Sequence, residues 1–399
     1  MKQAKKCVLT INGGSSSVKF ALYEVGKALK QLIKGEMENI GIKGTKLSFT
    51  NDVSSRKHNV KIEASDHTSA FEFLIGWLEK QDIFTSVKAI GHRIVFGMDH
   101  TDPGVLSPEL LTELKEISAF DPDHLPEEIK LIEVFQKHYP DMVQVACFDT
   151  SFHTTMPQVA KSIAIPRRYT DKGIRRYGFH GLSYAYLVEQ LYLEEWNLTS
   201  RDRVILAHLG SGASLAAVKN GKSIDTSMGF SPAAGIPMGT RTGDMDPGVA
   251  WYLMKTQKLT PTQFNHIVNH ESGLLGISET SSDMQELLKS QKTDKRAAEA
   301  VELFCYETKK RIGSFAAVLG GLDTLVFSGG IGERSAEIRR RVCHGLHFLG
   351  IELDETKNAQ NETVISSSSS LVNILVIPTN EELMIATTVC KILKYHIKH

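Results

Sequence analysis

The sequence predicts an α/β protein built as two similar domains, and three observations carry that expectation. At 399 residues the chain exceeds the length at which one hydrophobic core stops growing, so two domains are expected. Short apolar runs of strand length alternate with segments of helical spacing along most of it. One pattern, a strand, a Gly/Ser turn, a returning strand and a Gly turn, occurs at residues 8–26 and again at 204–221. Such self-similarity suggests two domains of one design facing a common cleft, although unrelated hairpins share the pattern.

Composition narrows the class. Lys+Arg and Asp+Glu are 46 each, and a formal charge of zero argues against a nucleic-acid or membrane-surface partner. The cysteines at 7, 147, 305, 343 and 390 are scattered, odd in number and free of C-x-x-C spacing. They read as small buried hydrophobes in a reducing compartment. The apolar run after Lys2, Lys5 and Lys6 ends at Asn12, too short for a signal peptide, and no run approaches membrane-spanning length. A cytoplasmic protein is expected.

In the first half, Val8-Leu9-Thr10-Ile11 runs into Asn12-Gly13-Gly14-Ser15-Ser16-Ser17, and residues 18–23 return. Glycines at such a turn let backbone N–H groups converge, a natural phosphate cradle. Residues 47–50 and 59–63 read as strands, and 68–80 and 126–138 as helices, the latter from Ile129, Ile132 and Phe135. Strands at 87–90 and 143–148 are followed by Gly91-His92-Arg93 and by Asp149-Thr150-Ser151-Phe152-His153. Ligands of open α/β sheets bind at the carboxyl ends of strands, which places Arg93 and Asp149 for chemistry. A salt bridge between domains and a helix cap are the plain alternatives for these two. His180, after Arg175 and Arg176, precedes an amphipathic helix of about 183–196, where an anion is favoured; a structural histidine is its alternative.

The second half opens with Val204-Ile205-Leu206-Ala207, His208 and the turn Gly210-Ser211-Gly212, and residues 214–218 return to the hairpin signal Asn220-Gly221. Residues 225–229 and 237–248 are dense in Gly, Pro, Thr and Asp and hold Arg241. Long irregular stretches are functional or disordered, and this one reads as an active-site wall. A helix over 294–319 and a buried strand at 324–327 lead to a third small-residue turn, Ser328 to Glu333. Residues 372–377 form a strand, and the last helix starts at Glu381, with Thr379 and Glu382 at capping-box spacing.

Several motifs fail. Gly221-Lys222-Ser223 ends a Walker A pattern whose earlier glycine is Ala216, and Gly210-Ser211-Gly212 lacks the third glycine of a dinucleotide fingerprint. His266 and His270 lack the glutamate of a metalloprotease helix, and no nucleophile-elbow serine is present. What remains is three Gly/Ser turns at strand ends, two arginines in Gly-rich settings, and Asn, Asp and Glu residues able to hold Mg²⁺. That inventory suits phosphoryl transfer outside the Walker class, where catalysis is positioning and charge neutralisation.

These residues resemble the acetate kinase family over nearly the whole chain. The carrying segments are Ile11 to Phe20, Gly91-His92-Arg93, Phe148 to His153, Tyr177-Gly178-Phe179-His180-Gly181, Asp225 to Phe230 with Met238-Gly239-Thr240-Arg241, Ser328 to Glu333, and Thr379 to Leu383. The resemblance implies two actin-like, ribonuclease H-like domains, each a mixed sheet flanked by helices, with a cleft between them. It places an N-terminal domain at 1–149, with a helix of about 384–399 packing back on it, and a nucleotide-binding domain at 150–383. It implies Mg²⁺-dependent interconversion of ATP plus acetate with ADP plus acetyl phosphate, in a homodimer, with Mn²⁺ as an alternative metal.

Residue by residue, the resemblance makes Asp149, His180 and Arg241 catalytic. Arg93, Val95, Phe179 and Pro232 would bind the carboxylate substrate, and Asn12 and Glu381 the metal. Lys19, His208, Leu209, Gly210, Ser211, Gly212, Asp283, Met284, Gln285, Gly330, Ile331, Gly332, Glu333 and Arg334 would form the nucleotide side. The chain departs from the family's pattern at Ser211 (usually Asn), Phe96 (His), Asp123 (an apolar Leu of the methyl pocket), Gln285 (Arg) and Arg334 (Asn). A carboxylate at 123 would repel a carboxylate substrate. A kinase of another short carboxylate such as propionate or butyrate, or one using a different phosphoryl donor, and a nucleotide-binding sensor of weak activity, are therefore the alternative expectations.

Overall fold

The computed structural model describes residues 5–14, 17–41, 44–51, 57–62, 64, 66–193 and 202–397. Ser15 and Ser16 of the first turn, Glu63 of the expected strand 59–63, residues 194–196 of the expected helix 183–196, and 398–399 lie outside the described residues. The chain divides into two compact units, Met1–Ser151 with Asn380–His399, and Phe152–Thr379.

The first unit is built on an eight-stranded sheet. Its strands are β1 (Cys7–Gly13), β2 (Ser17–Val25), β3 (Leu29–Glu38), β4 (Lys46–Asn51), β5 (His58–Lys61), β6 (Val87–Ile94), β7 (Gly104–Val105) and β8 (Val143–Phe148). They lie in the order β5-β4-β3-β2-β1-β6-β8-β7. β1, β2 and β3 pair antiparallel in chain order, whereas β6 and β8 run parallel to β1. Parallel pairing needs a crossover, and the helices His67–Glu79 and Leu125–His138 supply it. Asp66 and Ser69 close a capping box on the first of them. β1 is buried along its whole length, as expected of a central strand covered on both faces. Leu9, Ile11, Phe20, Phe71, Leu74, Leu131 and Phe135 form the core there.

The helix Glu381–Ile392 packs against β1 and β6 of this unit. Gly91 makes the close approach possible: a Cβ there would stand 2.4 Å from Ile385 Cγ2 and 2.6 Å from Val389 Cγ2. The expected capping box of Thr379 and Glu382 does not form. Asn380 is the N-cap, its Oδ1 accepting from the Leu383 N–H at 3.0 Å, while the Thr379 hydroxyl donates to Ser183.

The second unit holds β9 (Arg203–Leu209), β10 (Ala213–Lys219), β11 (Lys222–Thr226), β12 (Thr324–Ser328) and β13 (Asn373–Val376), in the order β11-β10-β9-β12-β13. Its pairings are antiparallel, antiparallel, parallel and parallel across that order. The run β3-β2-β1-β6-β8 has the same sequence of pairings. The two hairpins read from the sequence therefore sit at the same place in two mixed sheets, each flanked by helices and neither closed into a barrel. The long helix Lys295–Leu319, capped by Asp294, contacts β9 and β10. The expected turn at 328–333 is instead a short helix, Gly329–Arg334. Among the described residues no helix is long and apolar enough to cross a membrane.

Candidate active site

In the first unit, three neighbouring parallel strands end side by side. Asn12 lies near the end of β1 and Arg93 near the end of β6, and Asp149 directly follows β8. Arg93 belongs to its strand, not to a loop after it as the sequence suggests; β6 runs on through Gly91 and His92 to Ile94. Its guanidinium places Nη2 2.7 Å and Nε 3.2 Å from Asp149 Oδ2, and Nη1 3.2 Å from Asn12 Oδ1. The Asp149 side chain is fully buried and that of Arg93 is 14% exposed. Burial alone would lower the arginine's pKa, but the charges of Asp149 and Glu381 outweigh it and drive the pKa upward, so the group stays cationic.

The amide of Asn12 donates to Glu381 Oε2 at 2.7 Å. Glu381 and Glu382 occupy the first turn of their helix, where the helix dipole favours negative charge. Lys34 Nζ lies 3.7 Å from Glu382 Oε2. Glu128, buried on the helix Leu125–His138, accepts from the Val95 N–H at 3.1 Å. Burial pushes its carboxyl well above the usual carboxylate range; Asp121 and Asp149 add to the rise, and Arg93 and the Val95 N–H oppose it.

This group has the donors for the expected Mg²⁺. The side-chain oxygens of Asn12 and Glu381 are hard ligands, and the carboxylates of Asp149, Glu381 and Glu382 outnumber the cations Arg93 and Lys34 around them. Among the described residues no cluster of three or more His, Cys, Asp or Glu ligands occurs. Mg²⁺ needs none, because it commonly keeps several waters and binds through one or two carboxylates and the substrate's phosphates.

In the second unit, His180 adopts a left-handed φ of 60°, a conformation that costs about 1–3 kcal/mol for a non-glycine residue and is maintained by its surroundings. Its Nδ1 lies 2.8 Å from Ser214 Oγ, and Ser214 in turn bonds the Tyr184 hydroxyl. The His208 ring stacks on it at 4.4 Å, with Nδ1 2.8 Å from Ser183 Oγ. A Cβ on Gly212 would lie 3.4 Å from His180 Nε2 and 3.9 Å from Arg241 Nη1. The imidazole and the guanidinium therefore both border the 210–212 turn, where a small residue leaves room for a ligand. Arg241 also reaches the Pro232 carbonyl at 3.5 Å.

Of the residues expected on the nucleotide side, 208–212 and 330–334 lie at the carboxyl ends of β9 and β12, which are paired in parallel as far as His208 and Ser328. Gly329, with φ 75°, packs on the Leu209 backbone, and Gly330 N lies 3.9 Å from where a Gly210 Cβ would be. Glu333 accepts from Gly329 N at 2.9 Å and from Thr379 N at 3.2 Å. Gly239 N donates to the Ser211 carbonyl at 2.9 Å, and a Cβ on Gly239 would lie 3.3 Å from the Ser282 carbonyl. Asp283 caps the helix Met284–Ser290, in which Met284 is buried and Gln285 exposed; Arg334 is also exposed. Lys19 stands in the first unit, opposite Asn12 across the β1–β2 pair.

Sequence reasoning passed over four supporting groups. Glu128 is an acid on the apolar stripe of Leu125, Ile129 and Ile132, a signal that was available. Ser214 and Ser183 are polar and fully buried. Arg339 is fully buried, and burial pulls its pKa down to about 10. It donates to the carbonyls of Gly332, at 2.7 Å, and Glu333, at 3.1 Å, steadying the end of the Gly329–Arg334 helix.

Comparison with known proteins identifies the family. The acetokinase family profile matches residues 7–387. An acetate kinase of Rhodopseudomonas palustris is 42% identical over 96% of this chain and 98% of its own. The crystal structure of a Francisella tularensis propionate kinase is 39% identical with a TM-score of 0.88, covering 96% of this chain and 98% of its own. That of a Porphyromonas gingivalis acetate kinase is 38% identical with a TM-score of 0.84, covering 97% of this chain and 100% of its own. With a profile match over nearly its full length and relatives of this identity, the chain belongs to the acetokinase family, kinases that act on a carboxylate.

Proposed function

We propose that the protein is a Mg²⁺-dependent acetate kinase, converting ATP and acetate to ADP and acetyl phosphate by direct in-line transfer. The observation that carries this is the Arg93 guanidinium, fixed by a fully buried Asp149 and by Asn12 at the ends of three parallel strands. Acetate is already ionised at neutral pH, so its attack on the γ-phosphorus requires no general base. The carboxylate oxygen forms the new P–O bond, the bond to the β,γ-bridging oxygen breaks, and ADP leaves with that electron pair. What must be overcome is repulsion between two anions. Arg93 and Arg241 remain charged and can bind carboxylate or phosphoryl oxygens bidentately. His180 donates from Nε2 to an equatorial oxygen of the transferring group. Asp149 orients Arg93 and takes no proton. Mg²⁺, held by Asn12 and Glu381, would neutralise phosphate charge. The 210–212 turn, the Gly329–Arg334 helix and the residues around Asp283 would take the nucleotide. Cytoplasmic location and a homodimer complete the proposal.

A second reading, another short carboxylate or another donor, has support in the partly buried Asp123 and the exposed Gln285 and Arg334. Acyl phosphate trapped as the hydroxamate, with acetate, propionate or butyrate offered against ATP, GTP or pyrophosphate, separates the readings. Acetate with ATP is expected to dominate. A preference for another acid or donor moves specificity to those three positions, and no turnover with any pair rejects the kinase reading.

A further inference from the structure

The turn that carries His180 is held from beneath by a second histidine. His153 is 1% exposed. Its Nε2 lies 3.0 Å from the Phe179 carbonyl and its Nδ1 2.9 Å from Ser223 Oγ. A carbonyl can only accept, so Nε2 carries the proton, and for the neutral ring Nδ1 accepts from the serine hydroxyl. Phe179 is flanked by two left-handed residues, Gly178 at φ 77° and His180 at φ 60°. A Cβ on Gly178 would fall 2.6 Å from His153 Cδ2 and 2.5 Å from Thr226 Cγ2. The His153 ring thus fills the space under the turn, and its N–H clamps the carbonyl between the two left-handed residues.

We propose that His153 is a positioning residue for phosphoryl transfer, fixing the 179–180 peptide and through it the direction in which His180 presents Nε2. The inference rests on the role proposed for His180. Small misplacements of a group that meets the transition state cost rate without a matching loss of binding.

Two substitutions divide the ring's contacts. In His153→Gln the amide nitrogen reaches the ε position and can still donate to Phe179; in His153→Asn the amide reaches only the δ position, toward Ser223. His153→Asn is expected to lower kcat about a hundredfold, with KM for acetate and ATP within about twofold of wild type, while His153→Gln restores most of kcat. In a His180→Asn background, His153→Asn should lower kcat no further, because the group it positions is gone. Equal losses in the Gln and Asn variants, or additive losses in the double variant, overturn the proposal. Wild-type turnover in His180→Asn alone overturns the reading of His180, and this inference with it. Nitrogen NMR of the wild-type imidazole needs no variant to fold: an Nε2–H tautomer supports the clamp, and an Nδ1–H tautomer overturns it.

Discussion

Replacing Arg93 with alanine separates what the Arg93–Asp149 pair does for the fold from what it does for the reaction. Asp149 is fully buried, and both Nη2 and Nε of Arg93 point at its Oδ2. Removing one partner of a buried ion pair costs about 3–5 kcal/mol, because the remaining charge has lost both water and its counter-ion. For a domain of about 150–250 residues each kcal/mol shifts Tm by about 2–4 °C. The first unit of Arg93→Ala should therefore melt about 6–20 °C below wild type. The paired variant Arg93→Ala, Asp149→Asn removes the stranded charge and should recover most of that loss. Activity should not return with it, since the guanidinium that meets the anions is still absent. Circular-dichroism melts and the hydroxamate assay on the same preparations test both halves. If the single variant melts within about 1 kcal/mol of wild type, or if the paired variant melts no higher than the single one, the buried pair does not have the energetics argued for it.

Four further predictions follow from other parts of the structure. Gly91→Ala drives a methyl into Ile385 and Val389 and should cost about 1–3 kcal/mol of stability; an unchanged melting temperature would mean that the helix Glu381–Ile392 does not need the close approach. Glu381→Gln is expected to raise the Mg²⁺ concentration for half-maximal activity on the order of tenfold, and an unchanged Mg²⁺ titration removes Glu381 from the metal site. Arg241→Ala should lower kcat by about 10²–10³ through lost charge stabilisation; turnover near wild type would reject that role. Because burial, reinforced by Asp121 and Asp149 against Arg93, raises the Glu128 pKa, the folded chain holds a proton there that the unfolded chain releases. Its contribution to stability is thus lost as pH rises from the ordinary glutamate range through the raised value. Glu128→Gln should gain on wild type in melts as pH increases, and a pH-independent difference contradicts the assignment.

Much of this protein was legible locally. A Gly/Ser turn between two apolar runs is decided by residues next to one another, so both hairpins and the repeated sheet design could be read directly. The same holds for Asn12, Arg93 and Asp149, which stand at or near the ends of apolar runs. The strands β3 and β11 were passed over because β3 carries Lys30, Gln31, Lys34 and Glu36 in an antiparallel run and β11 is only five residues long. Gly91 looked like the end of a strand, and only the packing of Ile385 and Val389 on that backbone shows why a strand needs glycine there. The residues 328–333 looked like a turn because glycines disfavour helix. They form one because Glu333 accepts from Gly329 N and Arg339 holds the carbonyls of Gly332 and Glu333. Thr379 had the spacing of a cap, but its hydroxyl bonds a serine almost two hundred residues away in sequence. What the sequence alone determined is the two hairpins, several of the strands and longer helices, and the chemistry at the strand ends, because propensity and turn geometry act over a few residues. Which polar side chains are buried, and which of them hold His180, Arg93 and the last helix in place, only the tertiary structure decided, because a buried donor must find its acceptor wherever the fold brings one.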